Sequence, residues 1–433
     1  MNKTVSFHTL GCKVNQYETE AMTELFKNAG YTIADFDDVC DVYVINTCTV
    51  TGTGDKKSRQ IIRRAKSTNP NAVIAVTGCY SQVAPEEIAA MGVDVILGSK
   101  DKSKIVQLVE SSSLQANTTA VEDIMKTRVF EDMQISSFSD KTRAFVKIED
   151  GCNSFCTYCI IPYARGPVRS RDINEILKEV KTLAENGFSE VVLTGIHIAS
   201  YGLDIKDKSI NLGDVIKAIN EIDGIKRIRL GSIEPRILTE DFVKILSRIP
   251  KLCNHFHISL QSGCDETLAR MNRKYNTDEF RTVVKNIRKY IPDSAITTDI
   301  MVGFPGETDE EFEKSVAFLK EICFAEAHVF AYSNRRGTKA DKFPNQVKRS
   351  IKNERASIMA KAADKCRQKF LESFICKQVE VLAEREIENG IYEGHTSNYI
   401  KVHIVSDTDI SRKFVNVKID KIEKDYVTGI SCE

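Results

Sequence analysis

Short apolar runs alternate with amphipathic stretches twice along this chain, and that alternation restricts it to α/β architecture more tightly than any other feature. Between residues 4 and 110, Val5–Leu10 precedes Tyr17–Ala29, Val42–Ile45 precedes Lys56–Lys66, Val73–Val76 precedes Glu86–Met91, and Val93–Leu97 closes the series. Strands separated by helical periods pair in parallel through crossovers, so a doubly wound parallel sheet is expected. From Arg143 the pattern resumes with strands Ala144–Ile148, Glu190–Gly195, Arg227–Gly231, Phe256–Leu260, Ile296–Val302 and Ala327–Tyr332. Helices fall near 172–186, 212–222, 240–249, 278–290 and 308–322. Six such units predict a partial (β/α) barrel.

Parallel sheets bind ligands beyond the carboxyl ends of their strands, and cysteines recur there. Cys12, Cys48 and Cys79 each follow a strand, 36 and 31 residues apart, and should converge on one sheet edge. Gly11 and Gly78 give the backbone room to turn beside a bulky ligand. Cys40, at the amino end of its strand, serves as the contrast. After the first barrel strand comes Gly151-Cys152-Asn153-Ser154-Phe155-Cys156-Thr157-Tyr158-Cys159. Three thiolates spaced C-x3-C-x2-C can hold three irons of a four-iron cluster and leave the fourth open. Zinc more often takes four ligands in paired C-x2-C units, and no fourth Cys or His follows nearby. For Cys12, Cys48 and Cys79, zinc held with a water and plain burial both stay open.

Other strand ends on the barrel's carboxyl face are polar or glycine-rich: Leu193-Thr194-Gly195-Ile196-His197, Gly231-Ser232-Ile233-Glu234-Pro235, Gln261-Ser262-Gly263 and Gly303-Phe304-Pro305-Gly306-Glu307-Thr308. Barrel enzymes build their sites on this face. His255 and His257 project to one face of a strand, a pattern more common in packing than in ligation. Cys253, Cys264 and Cys323 carry no partner pattern and read as structural.

Lys+Arg and Asp+Glu both total 61, so a polyanionic partner would have to be met by local charge. One helix face gathers Lys56, Arg59, Arg63 and Lys66 at three-to-four spacing. Residues 348–377 read as a long helix with nine Lys/Arg against three Asp/Glu, its stripe being Ile358, Ala362, Cys366 and Phe370. The last segment reads as short strands of a small antiparallel barrel. Its balance from 377 to 433, eight positive against eleven negative, leaves RNA contact to exposed groups such as Tyr399, Lys401, His403 and Lys413. Residues 111–142 are polar and poorly periodic, a connection between domains. The start lacks an apolar secretory core and no run is long enough to span a membrane, so a cytoplasmic protein is expected. Thirteen cysteines suit a reducing compartment.

At the Cys152–Cys159 loop the chain resembles the radical S-adenosylmethionine superfamily, which implies reductive cleavage of that cofactor to a 5′-deoxyadenosyl radical. Over nearly the whole chain it resembles the methylthiotransferase family, and most closely the tRNA N6-threonylcarbamoyladenosine methylthiotransferases. Asn46-Thr47-Cys48-Thr49-Val50-Thr51, Lys57-Ser58-Arg59-Gln60-x2-Arg63-Arg64-Ala65 and Gly231-Ser232-Ile233-Glu234-Pro235 carry the likeness. The resemblance implies an N-terminal domain (1–110), a linker (111–142), a radical SAM barrel (143–347), a basic connecting helix (348–376) and a TRAM barrel (377–433). It implies two [4Fe-4S] clusters, one on Cys152, Cys156 and Cys159 and an auxiliary one on Cys12, Cys48 and Cys79. Tyr158, Gly195, Ser232, Glu234 and Gln261 are the expected S-adenosylmethionine contacts. Lys56, Arg59, Arg63, Tyr399 and Lys401 are the expected RNA contacts.

The implied reaction converts an adenine C2–H beside the anticodon into C2–S–CH3, with one cofactor molecule giving the methyl group and another the radical. The implied partners are the tRNA anticodon stem-loop, an external electron donor and a sulfur and cluster supply system. Isopentenyladenosine or a ribosomal-protein aspartate are alternative substrates. An iron–sulfur redox sensor that binds RNA, or a zinc-stabilised RNA-binding module, would be a reading of another class.

Overall fold

The computed structural model describes residues 3–112, 118–138, 141–206 and 210–432. Its first unit is a six-stranded parallel sheet of β1 (Thr4–Thr9), β2 (Thr32–Ile33), β3 (Val42–Thr47), β4 (Val73–Gly78), β5 (Val95–Leu97) and β6 (Thr118–Ala120), in the order β2-β1-β3-β4-β5-β6. The helices α1 (Lys13–Asn28), α2 (Gly52–Thr68), α3 (Cys79–Val83), α4 (Pro85–Ala89) and α5 (Ile105–Ser112) flank it. Buried on both faces, β3 reads as a continuous Val-Tyr-Val-Ile run, as central parallel strands do. Separate apolar clusters lie on the two sides of the sheet.

Part of the expected connection is structured. Thr118–Ala120 pairs with β5 as the edge strand, and Met133, Ile135 and Phe138 are buried in the barrel's core. Short length hid the first, and the second is anchored by scattered apolar residues with no period. Ser113, Ser139 and Asp140 lie outside the described residues.

The second unit winds β7 (Arg143–Lys147), a small hairpin of β8 (Glu149–Asp150) and β9 (Arg169–Ser170) enclosing α6 (Ile161–Arg165), then α7 (Ile173–Glu185), β10 (Glu190–Thr194), α8 (Leu212–Asn220) and β11 (Arg227–Leu230). It continues through α9 (Glu240–Leu246), β12 (His255–His257), α10 (Asp265–Arg270), α11 (Thr277–Tyr290), β13 (Ala295–Val302), α12 (Asp309–Ile322) and β14 (Glu326–Ala331). The strands form two three-stranded parallel sheets, β7-β10-β11 and β12-β13-β14, joined by bridges Ile228–Leu252 and Ile233–Ile258. This is a six-stranded open barrel. Ala144, Val146, Val191, Leu193, Ile228 and Leu230 pack outward into the helical layer. By the two-residue period, Arg143, Phe145, Lys147, Glu190, Val192, Arg227 and Arg229 face the interior.

A long helix, α13 (Arg349–Glu372), packs along β14 and leads to a closed barrel of β15 (Gln378–Glu388), β16 (Ile391–Thr396), β17 (Lys401–Val405), β18 (Phe414–Ile422) and β19 (Val427–Cys432). Its pairing is antiparallel except where β17 meets β19 in parallel, a departure from the all-antiparallel expectation. In strand β16, Gly394 interrupts the alternation; a side chain there would meet the Leu382 carbonyl at 2.4 Å. On α13 the buried stripe runs through Met359, Ala362, Ala363 and Cys366, whereas Ile358 is exposed.

Candidate active site

All three N-terminal cysteines leave the carboxyl edge of the sheet, at the ends of β1, β3 and β4. Gly11 and Gly78 hold φ near +101° and +103°, and a Cβ on Gly11 would stand 2.8 Å from Cys48 Sγ. One on Gly78 would meet the Thr47 carbonyl at 2.5 Å. Only glycine permits the chain to turn so close to its neighbours. Cys12 is open to solvent on one side, and its neighbours include Cys79 and Arg165. Burial pushes its thiol up and carries that of Cys48 to about 11. Cys40, the contrast, is buried away from this edge beside Asp35.

The barrel cysteines sit on a loop stitched to its surroundings. Cys152 N donates to Gly166 O (3.0 Å), Cys159 N to Cys156 O (3.0 Å), and Thr157 N to Met271 O (3.1 Å). Gly151, at φ +89°, lies where a side chain would meet the Pro167 carbonyl. Burial raises the Cys152 thiol and takes Cys159 to about 12. Thiols held this high ionise when a metal supplies the compensating charge.

Arg165, on the short helix after that loop, joins the two sets. Its Nε donates to Cys79 Sγ (3.1 Å), Nη1 and Nη2 grip Glu18 of α1 (2.5 and 3.0 Å), and Nη2 also reaches Asn15 Oδ1 (2.5 Å). Around it lie Lys147 against Glu18 (2.8 Å) and Asp150 (2.7 Å), Lys102 against Glu18 (3.3 Å), and Arg169 against Asp150 (3.4 Å). Every member is buried, and four cations face two carboxylates. A buried surplus of positive charge calls for anions, and thiolates at Cys12, Cys48 and Cys79 would supply them. Those surrounding cations hold the Glu18 and Asp150 carboxyls below the usual range against the opposing effect of burial.

Arg273 plays the matching part at the barrel loop. Its Nη1 donates to Cys156 Sγ (3.3 Å), Nε to Tyr275 Oη (2.9 Å) and Nη2 to Ser259 O (3.1 Å). A third buried tie, Arg335 to Asp55 and Thr49, fixes the residue after Cys48 to the loop after β14. Ile160, beside Cys159, and Tyr80, beside Cys79, line one cleft of about 690 Å3 between the two units.

Of the expected cofactor contacts, Tyr158 packs edge-on to Phe304 at 6.4 Å and feels Arg273. Gly195 has no side chain because Glu149 Oε2 lies 2.7 Å from where its Cβ would be. Ser232 is exposed, and burial raises the Glu234 carboxyl while Arg273 opposes it. Gln261 takes φ +70° and pairs its backbone with Asp299 and Met301. Glu149, unnoticed in the sequence, accepts from His197 N (2.7 Å) through Oε2, while its buried Oε1 has no partner among the described residues. Burial raises it well above the carboxylate range. His257, Asp299 and the exposed His328 gather on neighbouring strands β12, β13 and β14, with His257 Nε2 3.2 Å from Asp299.

The expected RNA contacts are placed less simply. Lys56 and Arg63 are exposed, but Arg59 donates to Tyr80 Oη (2.6 Å) and pairs with Glu87 (3.6 Å). Tyr399 stacks between His255 (5.0 Å) and His395 (4.8 Å), and Lys401 pairs with Glu393 (3.1 Å). On α13, Lys352 and Arg355 turn inward to Tyr332 O and Glu307, so the run is partly a structural clamp.

Residues 146–319 match the Radical SAM superfamily and residues 4–98 match a family described as Uncharacterized protein family UPF0004. A radical SAM methyltransferase, TsrM, from Kitasatospora setae is similar in fold, with a TM-score of 0.59 at 14% identity over 79% of this chain and 77% of that one. The barrel and its cysteine loop thus define a radical SAM enzyme. The threonylcarbamoyladenosine tRNA methylthiotransferase MtaB of Bacillus subtilis is 45% identical over 98% of this chain and 96% of its own. That of Aquifex aeolicus is 40% identical over 92% and 96%. A tRNA-2-methylthio-N(6)-dimethylallyladenosine synthase of Clostridium tetani is 35% identical over 96% and 94%. The chain belongs to the radical SAM methylthiotransferase family, whose members use S-adenosylmethionine and [4Fe-4S] clusters. No described helix is long and apolar enough to cross a membrane.

Proposed function

We propose that this enzyme methylthiolates C2 of N6-threonylcarbamoyladenosine at position 37 of tRNA, giving 2-methylthio-N6-threonylcarbamoyladenosine. Cys152, Cys156 and Cys159 hold one cluster with S-adenosylmethionine, and Cys12, Cys48 and Cys79 hold the other. When bound, these groups supply a substrate radical and the sulfur and methyl group that replace the C2 hydrogen. The protein's share is placement. Arg165 carries the reading: one buried guanidinium on the helix after the barrel cysteine loop reaches Cys79 of the other set, which supports bringing the two sets to one substrate.

Arg165 and Arg273 each direct a guanidinium N–H at a cysteine sulfur, Cys79 and Cys156, and so orient those side chains. Glu149, Ser232 and Glu234 offer polar atoms at the strand ends for the amino-acid end of the cofactor. The target base has to leave its stack to enter, which suits a loop nucleotide beside the anticodon. Lys56, Arg63 and the terminal barrel are the surfaces assigned to the RNA backbone. An external electron donor and a sulfur and cluster supply system complete the cycle, in the cytoplasm.

Mass spectrometry of nucleosides from bulk tRNA tests the substrate. Cells lacking the protein are expected to lose 2-methylthio-N6-threonylcarbamoyladenosine and retain its unmethylthiolated precursor. Loss of the methylthio group from isopentenyladenosine instead would overturn the assignment.

A further inference from the structure

A cavity of about 260 Å3 opens into the barrel interior near the amino ends of its strands. That is slightly below the ~300 Å3 at which small-molecule pockets begin, a size suited to a substituent. Five cations and two carboxylates line it. Four of those cations are already engaged. Lys141 donates to Gln16 Oε1 (2.9 Å), Arg143 to Glu384 (2.7 Å) and Arg229 to Glu190 (2.8 Å), while Arg385 pairs with Glu393 (3.5 Å). The fifth is Lys13, which has no hydrogen-bond or ion-pair partner among the described residues. It follows Cys12 directly, at the start of α1.

We propose that this cavity receives a carboxylate carried by the N6 substituent of the substrate adenine, with Lys13 as its counter-ion. The inference rests on the threonylcarbamoyladenosine reading above and names the groups that recognise that base. Arg143 and Arg229 lie over the Tyr399 ring at 5.2 and 4.6 Å, so part of the wall is an aromatic plate held by two further positive charges. Their own partners hold both guanidiniums in place, and neither has to move for an anion to enter. Removing an ammonium and a carboxylate from water together is tolerable where each would be costly alone. A dimethylallyl group would leave Lys13 facing hydrocarbon. Cys12 is the preceding residue in the chain, so a carboxylate on Lys13 would tether the base near one of the cysteines assigned to sulfur delivery. An RNA phosphate has the same anionic oxygens, and the experiment separates the two sources.

The full-length, cluster-loaded protein is titrated into three labelled anticodon stem-loops, followed by fluorescence anisotropy. One carries threonylcarbamoyladenosine, one its threonyl methyl ester, and one plain adenosine. Wild type is expected to bind the free carboxylate about tenfold more tightly than the ester, the scale of a hydrogen bond to a charged group. Lys13→Gln should erase that preference while leaving ester affinity and iron content unchanged, and Lys13→Arg should restore it. Equal weakening on all three RNAs would make Lys13 a phosphate contact and overturn the proposal. Wild-type indifference to esterification would also overturn it, without touching the substrate assignment, which the tRNA nucleoside analysis tests separately.

Discussion

Glu18 lies fully buried among Arg165, Lys147 and Lys102, and its carboxyl is held below the ordinary range by those cations. A depressed folded-state value means that its stabilisation is complete above the unfolded value of about 4.3 and is lost as pH falls through the folded one. Asp150 acts in the same direction. The urea midpoint of wild type should therefore exceed that of Glu18→Gln by a constant margin between about pH 5 and 8, and the margin should shrink below about pH 4. A margin that widens on acidification would contradict the ionised network. None of these residues was legible in the sequence. Glu18 and Arg165 are 147 positions apart, and no spacing rule connects them. Arg273 was hidden for the same reason, lying 117 positions from the Cys156 it contacts. The six cysteines were legible because strand ends and a tight C-x3-C-x2-C spacing are local signals.

The decisive elements are the turns from strand to helix. Gly78 ends β4 at φ +103° and hands the chain to α3, whose first residue is Cys79. Gly78→Ala would force a Cβ to within 2.5 Å of the Thr47 carbonyl, so the turn must shift. Left-handed strain of this kind costs about 1–3 kcal/mol. Iron at the Cys12, Cys48 and Cys79 site is expected to fall while the barrel cysteines keep theirs, so anaerobic iron analysis should show roughly half the wild-type content. Full wild-type content would mean that the turn does not position Cys79. At this scale the parallel sheet and the barrel were legible from their strand–helix alternation. Elements whose register is set by tertiary contact were not: β6 is a three-residue edge, and the α13 stripe centres on Met359 instead of Ile358 because β14 fixes its rotation.

Across the molecule, ionic ties hold the N-terminal sheet and the terminal barrel against the central one, those to the sheet buried and the one to Glu380 at the surface. Arg165 and Arg335 reach into the first unit, and Arg227 reaches Glu380 (2.9 Å) in the last. Burying so many charges is a poor route to stability and a good one to fixed geometry. Ile160 and Tyr80, each next in sequence to a cysteine of a different set, accordingly line one cleft.

The most direct measurement is anaerobic iron and sulfide analysis of wild type and of the Cys12→Ala/Cys48→Ala/Cys79→Ala variant, each then given reductant and S-adenosylmethionine. Two four-iron clusters predict about eight irons per chain in wild type and about four in the variant, which still forms 5′-deoxyadenosine but no methylthiolated RNA. A variant that keeps the full iron content, or that still methylthiolates, would contradict the account.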